Sequence, residues 1–109
     1  MILRVYLRER YAKRKDEETL TILDKNAMDI QYELYAHEIH YQNIAVKDDG
    51  TIPYIQILCA DDEERDQIKD ILLRNRHILC FEIGTKRYFA KYAQEDEKSS
   101  FKHKIKRAK

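Results

Sequence analysis

At 109 residues the chain is long enough to bury one core and too short for two of ordinary size. Hydrophobic residues at 43% against 38% charged exclude wholesale disorder, and no apolar run nears the roughly 20 residues of a membrane span. The net charge of +1 conceals a segregation, since residues 1–15 hold six bases and one acid, residues 16–85 sixteen acids and six bases, and residues 86–109 nine bases and three acids.

The first segment, ILRVYLR, places Leu3, Val5 and Leu7 on one face and Arg4, Tyr6 and Arg8 on the other, the period of a half-buried strand. The early charges Arg4, Arg8, Glu9 and Arg10 leave no apolar stretch for a secretory leader, so a cytoplasmic location is expected. After the charged run YAKRKDEE, Thr19 to Leu23 has the β-branched content of a short strand. Two patterns then overlap. Met28, Ile30, Tyr32, Leu34 and Ala36 alternate with polar residues, while Leu20, Leu23, Ala27, Ile30, Leu34, His37 and Tyr41 follow a 3-4 spacing. The second pattern predicts a helix over 26–39, with Asn26 as its cap, Asp29 in its first turn and no Gly or Pro to interrupt it. The first would make the fold more β-rich.

Ile44–Lys47 and Ile52–Leu58 flank Asp48-Asp49-Gly50 and predict a β-hairpin. Pro53 has no N–H to donate and belongs at the start of its strand or on an edge. Asp61 and Glu64 then form a capping box for a helix over 62–75, whose buried stripe is Ile68, Ile71 and Leu72, with Arg74 and Arg76 near the negative end of its dipole. Ile78–Ile83 and Tyr88–Tyr92, joined through Gly84-Thr85-Lys86, predict a second hairpin. Beyond Ala93, QEDEKSSFKHKIKRAK offers Phe101 and Ile105 as its only large apolar residues. That composition predicts a basic, flexible tail over 94–109, or a marginal helix, dispensable for folding.

These elements describe a single α+β domain over 1–93, an antiparallel sheet of four to six strands with two helices on one face. Their order resembles the βαββαβ arrangement of ferredoxin-like domains. The alternative is a β-rich, barrel-like domain with one helix.

Catalytic chemistry finds little foothold. His37-Glu38-Ile39-His40 spaces its histidines by three, where a zinc protease needs four along a helix, so no metal is expected. Two isolated glycines cannot build a phosphate-cradling loop, and no cofactor is expected. Ser99 and Ser100 lie in the tail, and Cys59 and Cys80 end apolar segments as free thiols of a reducing compartment. The chain reads as a non-enzyme.

One pattern carries functional content. Arg4, Tyr6, Arg8 and Arg10 at the start, Arg87 and Lys91 near the end, and Lys102, Lys104, Lys106 and Arg107 in the tail interleave cations with aromatic residues. Cations meet phosphates and rings stack on bases, so these residues are expected to contact DNA or RNA in a regulatory or accessory protein. Ile52–Leu58 lacks the glycine-aromatic signature of an RNA-recognition motif. The competing expectation is a protein-binding module, an adaptor or inhibitor of the kind a phage or mobile element carries, whose acidic middle, Asp61 to Asp70 especially, docks on a basic partner.

Overall fold

In a computed structural model, which describes residues 1–8, 17–48 and 52–107 with 17–20 and 104–107 as backbone only, the alternation of the first segment becomes a central strand. The described residues form β1 (Ile2–Leu7), α1 (Glu17–Ala36), β2 (Asn43–Lys47), β3 (Tyr54–Leu58), α2 (Asp62–Leu73), β4 (Ile78–Ile83), β5 (Lys86–Phe89) and α3 (Glu95–Arg107). All pairs are antiparallel and the order is β2-β3-β1-β4-β5. The sheet is open, with β2 and β5 as edges, and not the barrel of the alternative expectation. Its first four strands and first two helices keep the split βαβ order that the sequence resembles.

One sheet face lies under α1 and α2. Leu3, Val5, Leu7, Ile55, Ile57, Ile78 and Phe81 from the strands share a core with Leu23, Ala27, Ile30 and Leu34 of α1 and with Ile68, Ile71 and Leu72 of α2. Both periodicities are visible here, every second residue along the strands and every third or fourth along the helices.

The structure corrects two readings. Thr19–Leu23 is helical, part of a 20-residue α1 that begins at Glu17. Burial of a long 3-4 stripe outweighs the modest helix propensity of Thr19 and Thr21. Asn26 is therefore no cap: it sits mid-helix and its Nδ2 donates to Ile22 O at 2.9 Å, which satisfies a nearly buried amide. The helix also stops at Ala36, short of 39. Glu38 N–H donates to Tyr35 O at 3.1 Å and Ile39 N–H to Leu34 O at 2.8 Å, with Glu38 at φ 55°, a Schellman ending built on a non-glycine residue.

The terminal segment takes the second of its two expected forms, a helix. Residues 95–107 form α3, and Phe101 is only 2% exposed. A bulge explains part of its seat. The β1–β4 register pairs Tyr6 with Cys80 but Leu7 with Ile78, so Leu79 is an extra residue that joins Cys80 on the second sheet face. There Phe101 completes a cluster with Tyr6, Ile52, Tyr54, Leu79 and Cys80. One aromatic side chain thus finds an apolar site that the segment's composition does not reveal. Gln94 N–H donates to Glu97 Oε1 at 3.0 Å, and Glu95, Asp96 and Glu97 occupy the first turn ahead of the bases, matching the helix dipole.

The remaining expectations differ only at their edges. Asp61 caps α2, accepting from Glu64 N–H at 2.9 Å, while Glu64 Oε1 accepts from Ala60 N–H at 2.8 Å, and α2 ends at Leu73. Pro53 immediately precedes β3. Asp49 and Gly50 of the first turn lie outside the described residues. In the second hairpin Ile83 pairs with Lys86, leaving a two-residue loop whose leading Gly84 has φ 59°, a conformation that favours glycine.

Candidate nucleic-acid interface

The register aligns side chains on the sheet face away from α1 and α2 into two rows. Arg4 is opposite Gln56 of β3 and Glu82 of β4, and Glu82 is opposite Arg87 of β5. One step along, Lys47 of β2 pairs with Tyr54, and Tyr6 pairs with Cys80, which in turn pairs with Phe89. The first row is polar and the second aromatic. α3 lies over the second row and, among its described residues, reaches the first only at Arg87, leaving Arg4 exposed.

Arg4 is exposed, its guanidinium 5.6 Å from the centroid of the Tyr54 ring. No carboxylate among the described residues makes an ion pair with it. Next to it a shallow recess of about 420 Å³ opens between Met1, Ile2, Arg4, Glu82, Ile83 and Gly84. Arg87 is already engaged. Its Nε and Nη2 donate to Glu82 Oε2 at 2.9 and 2.8 Å, and its guanidinium sits 4.9 Å from the Phe101 ring centroid. Glu82 therefore answers one guanidinium of the row, and Arg4 faces solvent without an acid of its own.

Tyr6 departs from its expected role. It is 6% exposed, wedged between Tyr54 at 5.7 Å and Phe101 at 4.9 Å between ring centroids. Its hydroxyl makes a long 3.5 Å contact to Glu82 Oε1. Burial, reinforced by the Glu82 carboxylate, pushes its phenol well above the ordinary 10.0. Arg8 is likewise drawn inward: its Nε donates to Glu97 Oε1 and Oε2 at 3.1 and 3.0 Å, its Nη2 lies 3.0 Å from Oε1, and its Nη1 donates to Arg76 O at 3.4 Å. It is a clamp on the first turn of α3.

The other expected cations divide. Lys102 lies on α3 with its ammonium 5.6 Å from the Phe89 ring, as does Lys98, which the sequence did not single out. Lys104, Lys106 and Arg107 fall in the last turns of the same helix, so α3 brings them to the layer that holds Arg4. Lys91 does not join them, because its N–H donates to Leu73 O at 2.9 Å and holds it by the end of α2. Arg10 lies outside the described residues. Lys47, Tyr54 and Glu82 were missed by sequence reasoning, since only strand register shows that they neighbour Arg4 and Tyr6.

The opposite layer is acidic. α1 and α2 together carry ten acids against three bases. Among the described residues no three His, Cys, Asp or Glu side chains converge as a metal site. Burial pushes the Cys80 thiol up to about 12 and the Cys59 thiol also upward, away from the thiolate that nucleophilic chemistry needs. No helix among the described residues is long and apolar enough to cross a membrane.

No protein-family model, curated protein or solved structure matches this chain.

Proposed function

We propose that this protein is a non-catalytic accessory factor that contacts nucleic acid through the layer formed by the open sheet face and α3. The observation that supports it is the sorting of charge by layer. Arg4, Lys47, Arg87, Lys98 and Lys102 stand on one side of the sheet together with Glu82 and the first-turn acids of α3, and α1 and α2, with ten acids against three bases in their sequences, lie on the other. Such a molecule presents its basic side to a polyanion while the acidic side is repelled, which fixes the docking direction. Arg4 is the residue best placed to take a phosphate, being exposed and free of an ion pair among the described residues.

A titration of the intact chain against single-stranded and duplex nucleic acid at several salt concentrations tests this reading. The logarithm of affinity is expected to fall linearly with the logarithm of salt, and Arg4→Glu with Lys102→Glu to weaken binding and flatten the slope by about one to two ions. Charge reversal of Glu63 on α2 is the control and should leave the slope unchanged. Absence of salt-dependent binding at low ionic strength sinks the proposal.

A second reading rests on α1. Met28, Tyr32 and Tyr35 lie on its outer face at 52%, 65% and 83% exposure, a stripe at helical spacing beside the acids of the helical layer. That face suits a basic protein partner. Binding of a basic amphipathic peptide that is lost with Tyr32→Ser and Tyr35→Ser together would favour it over nucleic acid.

A further inference from the structure

Open Arg4 leaves the neighbouring aromatic row without a task. Tyr6 and Tyr54 stand side by side on the two central strands β1 and β3, with Phe89 at the far end of the row on β5. Cations of the sheet flank them, Arg4 against Tyr54 and Lys47 paired with Tyr54, while Lys98 and Lys102 of α3 lie over Phe89. Rings in a basic frame are what an unpaired base and its phosphate require together. In this structure that place is filled by the protein's own Phe101, 4.9 Å from Tyr6.

α3 is predominantly polar, and Phe101 is the only apolar side chain among its described residues, Glu95 to His103. Its contacts with the sheet layer include the Arg8–Glu97 pair and the stacking of Arg87 on Phe101 and of Lys98 and Lys102 on Phe89. Lys102, which makes no ion pair among the described residues, gains a stronger partner when a phosphate arrives, so the ligand competes for it with the Phe89 ring and thereby with the seat of α3.

Building on the nucleic-acid reading, we propose that Tyr6, Tyr54 and Phe89 form a stacking site for unpaired bases of single-stranded nucleic acid, occupied by Phe101 until the strand displaces α3. Duplex nucleic acid, its bases already stacked on one another, binds the closed surface through charge alone.

The chain contains no tryptophan, so Phe101→Trp supplies a unique reporter in the intact protein. Its emission should be blue in the free state and shift red on titration with a single strand of about ten nucleotides, and not with duplex. Glu97→Gln weakens the clamp without touching the apolar cluster. It should raise single-strand affinity about three- to ten-fold, as removal of a competing conformer does, well beyond the rise in duplex affinity that the loss of one negative charge brings by itself. Tyr6→Leu added to Glu97→Gln should cancel the gain. If single strands bind while the tryptophan emission stays blue and Glu97→Gln matches the parent, the strand uses the closed surface and this proposal is wrong, with the nucleic-acid reading intact. If neither single strand nor duplex binds any of these proteins, both fall.

Discussion

Glu38 occupies the position where helices commonly place glycine. At φ 55° its side chain crowds the following carbonyl, and the two hydrogen bonds of the Schellman ending hold it there. Glu38→Gly removes that strain, worth roughly 1–2 kcal/mol, and adds unfolded-chain entropy that gives back about 0.4–1. The expected net outcome is a gain of between about 0 and 1.6 kcal/mol, readable as a higher denaturant midpoint at unchanged slope. Cys80 makes a second prediction at this scale. Burial lifts its thiol from an ordinary 9.0 to about 12, so the folded state favours the protonated form. The unfolded chain then holds fewer protons than the folded one above pH 9, and stability, fully present below that, declines as pH rises toward 12. Tyr6 adds to the decline at higher pH with the same sign, its ordinary value being 10.0. Cys80→Ala should therefore lose less stability than the parent between pH 9 and 12 in parallel denaturant melts. A difference that does not change with pH would show that the thiol is not what resists ionisation.

Among the elements, α2 follows its sequence most closely, because its signals are local. Asp61 and Glu64 bond to backbone within a few residues, and the stripe Ile68, Ile71, Leu72 is buried as its spacing requires. Asp61→Ala is expected to cost about 1 kcal/mol and Ile68→Ala roughly 2–5 kcal/mol in urea unfolding. Near-equal losses would contradict the fully buried placement of Ile68. α1 departs from its sequence reading, and the sequence leaves α3 open between two forms, for a shared reason. Whether Thr19–Leu23 is strand or helix depends on whether a sheet lies beneath the continued stripe. Whether 95–107 is ordered depends on whether Phe101 has a place to go. Neither question is answered within the segment itself, where marginal helices gain most of their stability from tertiary packing. The hairpins lie between these cases. Gly84 announces the second one locally, but the bulge that turns Leu79 outward depends on the β1–β4 pairing.

At the scale of the whole molecule, strand order converts a sequence with basic ends and an acidic middle into two layers of opposite sign. The segregation by sequence, six bases to one acid at the start and nine to three at the end, is visible in the residues alone. So are the α+β class, the alternating face of β1, both hairpins and the α2 cap. These depend on residue type and on periods of two or 3.6, which any reader of the chain can count. Only the tertiary structure decides that Arg8 and Arg87 are spent on Glu97 and Glu82, that Tyr6 lies beneath Phe101, and that Lys47 stands in line with Arg4's neighbours. Those facts are contacts between residues up to 95 positions apart, Tyr6 to Phe101. No local period encodes them. They follow from which strands pair, in what register, and which side of the sheet each connection crosses, and a helix as polar as α3 then forms because one ring finds an apolar seat among residues that the chain order keeps far away.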